Sequence, residues 1–526
     1  EISSCDWSSD VCSSDLLEAE RDGLAHVTPE SGEPAVELWI DKGDITLSGG
    51  VAEGFDAQGA AVRREGAATV VVRQADPKAP ATHRVTVSSG ARRLELRDVH
   101  TAPGGPLLDV RAGASATVVL SGSSTAEGTE ARAALHVAPG AYLSFAPEGT
   151  GRIEVASSGS GAAVGGDGSE RSGSVTVAGG GVVARANGGG AAVGGGAGAA
   201  NGPVLVCGGS LEARLGGGVR LTSAVGAGGS SRDGGPITVT GGELAVTGGW
   251  GGLGVGGMGL SGSSADASLV RLSGGRTSVT GGFQGNALEV GTLLVQGDAR
   301  LEVTCGNRAE GIRARRVAFS GGTTLARNGN GIEVRSAIHA DELVAVSGGR
   351  VRVEATGPTS IGVAAPLALS GGRLCVDASK GGAPAVCGGP VSVSGGTLDA
   401  LGGRRSAALG SGGDRWGAPV PVAVEGGSLR AVAGEGCSFA IGNGTYDYGA
   451  PLWPTNGSAR VYEHVVEGIS DVTTLVVDGR PASELGVDSQ NDDGKVHLWL
   501  TAGTHSVRVD GRDETFDVKD SYALVA

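Results

Sequence analysis

Aromatic residues make up only 3% of this 526-residue chain, and methionine occurs once. Large aromatic side chains usually carry much of a core's burial, so small side chains must do that work here. Lysine is nearly absent and appears only at Lys42, Lys78, Lys380, Lys495 and Lys519. Arginine carries the positive charge, and together with abundant Gly, Ala and Val this points to a GC-rich genome. The net charge of −15 and pI near 5.1 disfavour nucleic acid and anionic membranes as partners. No apolar run approaches the roughly 18 residues of a membrane span, so no membrane insertion is expected.

Cysteine is also sparse. Cys207, Cys305, Cys375, Cys387 and Cys437 are widely spaced and odd in number, which gives neither a disulfide framework nor a zinc pattern. They read as small buried hydrophobes. The eight histidines are scattered without metal spacing, and no cofactor is expected. Cys5 and Cys12 are set aside with the N-terminus. Asp6 to Leu16 matches one reading frame of a common sequencing-library adapter, so residues 1–16 read as an assembly artefact. Residues 17–35 read as a linker, and the lack of a visible leader says nothing about export.

What the chain does contain is glycine, 100 residues of it, with 19 prolines. Recurring β-branched runs exclude a disordered chain, and the absence of a three-residue glycine period excludes collagen. The runs recur as strands ending in Gly-Gly. Ser174-Val175-Thr176-Val177-Ala178-Gly179-Gly180 is one, Ile237-Thr238-Val239-Thr240-Gly241-Gly242 another, and later copies end at Gly275, Gly322, Gly349, Gly372, Gly396 and Gly427. A second strand follows each pair, as in Glu243-Leu244-Ala245-Val246-Thr247. A third, shorter element reads Ala192-Val193-Gly194-Gly195 or Ala408-Leu409-Gly410. Three brief alternating strands with glycine corners make one triangular coil, and some fifteen stacked coils would share a narrow core. The expected fold is all-β, a right-handed parallel β-helix over residues 36–455. From about 456 the alternation in Thr473–Asp478, Lys495–Leu500 and His505–Val509, with turns between, predicts a small β-sandwich-like domain or a cap over 456–526.

Residues 36–455 resemble glycine-rich β-helix surface proteins of gut bacteria, often labelled carbohydrate-binding-domain-containing or adhesin-like. The resemblance begins at Asp41-Lys42-Gly43-Asp44-Ile45-Thr46-Leu47 and continues through Arg84–Val87 and Leu94–Val99. It runs on through Ala133–Phe145 and Ala163-Val164-Gly165-Gly166 into the Gly-Gly strands. It implies an extracellular or cell-surface protein, and a polysaccharide or host-surface glycan is the expected partner.

The candidate glycan-binding residues are Trp416, Tyr446, Asp447, Tyr448 and Trp453, with Trp250 as a second location. Flat rings stack on sugar faces, and Asp447 and Asn443 could bind hydroxyls. The competing structural reading of that window, which also holds Phe439 and Tyr462, is a plug closing the open end of the core. Charges from Asp298 to Arg316, including Glu302, Glu310 and Arg313, read as the solvated face of two or three strands. Asp488–Gly494 fails the calcium-loop pattern at its first and twelfth positions and reads as a hairpin turn. Isolated Gly165-Gly166-Asp167-Gly168 lacks the tandem copies of a calcium-binding nonapeptide array. The functional expectation is a monomeric, non-enzymatic surface protein binding glycans. A β-helix lyase or glycoside hydrolase and a purely structural stalk are the alternatives.

Overall fold

The alternation of Ile237, Thr238 and Val239 shows how the fold is built: the two aliphatic side chains are buried while Thr238 stays half-exposed. A three-residue strand of this kind buries one row only, and the row needs another coil above and below it. The computed structural model describes residues 35–519 apart from 219, 230, 232–233, 258–267, 329–333, 412–420 and 444–451. The adapter-like residues 1–16 and the proposed linker, apart from residue 35, lie outside the described residues. In the described residues the strands stack as a parallel β-solenoid of about 12 turns.

Three ladders run along the rod, each with an aligned inward row of aliphatic residues. In the first, Val175 stands over Val204, Ile237, Val270, Leu293, Val317, Val344, Leu367, Val391 and Val422 in unbroken register. The second ladder stacks Ile153, Val182, Leu211 and Leu244 in the same way. The third stacks Leu108, Leu135, Val164, Val193, Val225, Val255 and Leu288. All of these side chains are buried, and among the described residues Phe145 and Phe319 are fully buried aromatics of this narrow core. The aromatic poverty of the chain therefore follows from the cross-section of its core.

About 12 turns is fewer than the fifteen coils expected from the repeats. The second ladder gains its first full strand only at Ser123–Gly128, which pairs with Arg152–Ser157. Before it that ladder is reduced to single parallel bridges, Ala81 to Thr101 and His100 to Thr125, and the chain spends residues on an antiparallel excursion. Ile45–Ser48 pairs with Val51–Phe55, which pairs with Ala61–Glu65, and Ala52 from this meander enters the core. The meander blunts an end that would otherwise expose an apolar row and unpaired strand groups.

The corner between first and second ladders demands glycine. Gly242 has φ of +68°, and a Cβ there would lie 2.6 Å from the carbonyl carbon and oxygen of Gly208 in the preceding coil. Coil-to-coil contact at this corner is backbone against backbone, which explains why the Gly-Gly pair repeats.

The C-terminal residues form two antiparallel sheets. Tyr462–Val466 pairs with Val496–Leu500, and Val476–Val477 lies between Arg480–Pro481 and Gly503–Val509, which pairs with Arg512–Val518. Leu475, Val496, Leu498 and Val507 make a core of their own. This unit lies against the outer face of the last coils. Gly396 N–H donates to Gly486 O (2.7 Å), Asn491 Nδ2 to Leu398 O (3.0 Å) and Trp499 Nε1 to Leu429 O (2.9 Å). As a result the outward residues Thr397, Asp399 and Ser428 are fully buried, whereas Glu302 and Arg352 on earlier coils of the same ladder reach solvent. Asp488–Gly494, expected as a hairpin turn, does turn at Asn491–Gly494 but does not join paired neighbours. It is a docking loop: Asp492 ion-pairs with Arg373, its N–H donates to Asp399 Oδ2 (3.1 Å), and Asp493 meets Arg430 (3.1 Å).

Gly242→Ala is expected to cost at least about 1–3 kcal/mol from the left-handed backbone alone, with the clash added to it. Gly217→Ala, which meets nothing within 4 Å, is expected to be near neutral. Thermal melts of the two variants against the parent check this, and equal midpoints would show that the corner tolerates a side chain.

Candidate functional site

An apolar-walled cleft lies where the last coil meets the C-terminal unit. Ala431, Ala440 and Ile441 come from the solenoid, Trp453, Pro454 and Val461 from the segment that leaves it, and Tyr462, His464 and Trp499 from the facing sheet. Together they line a cleft of about 290 Å³, near the lower end of small-ligand sites. Trp453 meets Tyr462 edge-on at 5.7 Å between centroids, and Arg460 sits 5.1 Å over the indole. His464 stacks on Phe516 at 3.5 Å with rings 4° apart. Burial, and then the neighbouring His505, depress the His464 pKa. Glu463, Asp517 and Lys519 supply polar groups to an otherwise apolar wall. Aromatic walls with a few carboxylates suit a ligand with alternating C–H faces and hydroxyl rims.

Glu463 is held from behind. His497 donates from Nδ1 to Glu463 Oε1 (2.7 Å) and from Nε2 to Asp493 Oδ2 (3.0 Å), linking the cleft wall to the docking loop. Burial disfavours the charged ring, but the two carboxylates outweigh it and raise its pKa.

Of the residues expected from sequence, Trp453 lines this cleft. Trp416, Tyr446, Asp447 and Tyr448 lie outside the described residues. Trp250 is elsewhere. It is 37% exposed on a solenoid corner and stacks on Phe283 of the next coil, 38% exposed, at 5.8 Å and 15°. The third ladder advances from Val255 to Leu288, Ile312, Ile338, Val363, Val386, Leu409 and Ile441, which puts the two aromatic places roughly 34 Å apart. Capping of the core falls to Leu452, Val461 and Trp499. Tyr462 was noted only as part of the aromatic window, and Trp499 and His464 were missed as site residues because nothing local in the sequence shows where on the solenoid the 456–526 unit docks.

Two polar clusters sit on the third ladder. In one, Asn286 Nδ2 donates to Glu289 Oε2 (2.9 Å) and accepts from the Glu310 N–H at Oδ1 (2.8 Å). Glu310 also meets His339 and Arg313, both at 3.2 Å. Burial pushes the Glu289 carboxyl up; for Glu310 burial acts the same way, but His339 and Arg313 override it and hold the group low. Glu310 is only 6% exposed, so it departs from the solvated face expected for the Asp298–Arg316 charges. Side chains about six coils earlier form the second cluster. His136 donates from Nδ1 to Asp109 Oδ1 and from Nε2 to Glu170 Oε2, both at 2.7 Å, with Asp167 beside them. Coil register assembles these residues, so no linear spacing announces them.

Compared with family models, curated proteins and solved structures, the chain matches none. Among the described residues no helix is long and apolar enough to cross a membrane.

The raised His497 pKa sets a pH dependence. A group whose pKa rises on folding stabilises fully below its unfolded value of about 6.5 and loses that contribution as pH climbs through the folded value. The stability difference between parent and His497→Gln is therefore expected to be largest near pH 6 and to shrink above neutrality. Paired denaturant melts across that range test this, and a difference that grows with pH would reverse the sign.

Proposed function

We propose that this is a non-enzymatic, extracellular or cell-surface bacterial protein that binds glycans through the cleft between its solenoid and its C-terminal unit. The observation that carries the reading is the cleft itself, where Trp453, Tyr462 and Trp499 present ring edges and faces beside Glu463 and Asp517. Its size suits one or two sugar units of a polysaccharide or host-surface glycan. Trp250 and Phe283 offer a further flat aromatic pair along the rod, suited to a longer chain. The acidic charge favours neutral or cationic glycans over polyanions.

A second reading, a β-helix carbohydrate-active enzyme, rests on Glu289 and Glu310. Two nearby carboxyls pushed in opposite directions are the arrangement that general acid and base chemistry needs.

One experiment separates the readings. The full chain is run by affinity electrophoresis through a panel of plant and host polysaccharides, with product analysis of the same mixtures. Retardation by one glycan without shortened products is expected, and Trp453→Ala is expected to weaken it at least about tenfold, as loss of one stacking platform does. Released oligosaccharides, abolished by Glu310→Gln, would establish the enzyme instead. Neither retardation nor products would leave a structural stalk.

A further inference from the structure

We propose that His136, Glu170 and Asp167 form a site for a divalent transition metal of the zinc class, oriented by Asp109. Among the described residues this is the group of three side chains whose ligand atoms lie close enough to share one ion, all within 4.8 Å of one another. They reach the same point from different turns. Asp109 and His136 are register partners on successive strands of the third ladder. Asp167 and Glu170 come from the segment after Val164–Gly165, one coil further on.

The surroundings are those of a metal-bound imidazole. A ligating histidine ordinarily donates its other ring N–H to a carboxylate, which fixes the ring and strengthens it as a donor. Asp109 accepts this bond from His136 Nδ1 at a position with no solvent exposure, while His136 itself is 5% exposed. Arg111 holds the second oxygen of Asp109 at 2.7 Å. Nε2 is then the remaining ring donor, and it points at Glu170, a third of which is exposed and gives an ion its way in. On the next coil the register partner of His136 is Gly165, so that strand puts no side chain over the ring and the 166–173 segment can reach it. That segment is tied down by the Ala133 N–H to Asp167 Oδ1 (2.8 Å) and by the Arg132–Asp167 ion pair (3.0 Å).

The donors select the ion. One imidazole nitrogen with two carboxylates suits zinc and its first-row neighbours, whereas calcium asks for six to eight oxygens. Tetrahedral zinc keeps its ligand atoms about 3.3 Å apart. The 2.7 Å between His136 Nε2 and Glu170 Oε2 therefore has to open by only roughly half an ångström as the ion replaces the ring proton. That exchange releases the proton to solvent, so binding weakens at low pH. The bound ion would staple the 166–173 segment to the solenoid wall.

The full chain, stripped with a chelator, is titrated with Zn²⁺ by calorimetry and with Co²⁺ by visible absorption. One ion per chain is expected, with Co²⁺ bands of low coordination number. His136→Ala is expected to abolish binding, and Asp109→Asn to weaken it about 10–100-fold. Glu170→Gln, a substitution on the partly exposed segment that leaves the core intact, is expected to weaken it at least about tenfold. Absence of a stoichiometric ion, or Zn²⁺ binding unchanged in Glu170→Gln, overturns the proposal.

Discussion

Everything in this molecule depends on coils stacking in register. A strand of three to seven residues buries one aliphatic row and leaves its backbone groups open on both edges. Only the next coil satisfies them and covers the row. The Val175–Val422 row and its two companions are that constraint written along the chain, and the glycine corners let backbones approach closely enough to keep it. At Gly242 the left-handed backbone and the contact with Gly208 leave no room for a side chain.

The same register builds the polar sites. Outward residues on successive coils sit roughly 4.8 Å apart, so side chains twenty to thirty residues apart in sequence become neighbours. His136 meets Asp109 this way, and Arg313 and His339 likewise stand on adjacent rungs. In the core, register produces aliphatic repetition. On the surface, where repetition is broken, it produces charge clusters, and the broken positions are where chemistry collects.

The C-terminal unit changes the character of the rod's end. By covering Thr397, Asp399 and Ser428 it converts a solvated face into a buried polar contact. Such a contact holds only while its partners match, because a lone Asp399 would be a costly buried charge. Burial and the nearby Asp492 already push its pKa up, with Arg373 and Arg430 as counterions. The docking creates the aromatic cleft as a by-product of geometry, since Trp453 and Trp499 approach only when the unit folds back.

Alternation, Gly-Gly corners and scarce aromatics were enough to read the solenoid from sequence, because each is a local consequence of a narrow, stacked core. Trp453 could be picked out because an aromatic is rare in such a chain. Glu310 could not be read as buried, nor Asp109, His136 and Glu170 as partners, because their proximity depends on which residue of one coil lies over which residue of the next. Coil lengths vary from one turn to another, so that correspondence has no fixed linear spacing. A cap over the C-terminal residues was one of the two expectations, but where it docks was illegible: its contacts, apolar at Trp499 and polar between residues such as Ser428 and Asn491, join long stretches of chain. By itself the sequence determined the secondary structure, the stacking and the composition of the core, all set by short-range alternation and glycine stereochemistry. The tertiary structure alone decided which charged side chains share a neighbourhood and where the cleft opens, because register and docking are long-range properties of the folded chain.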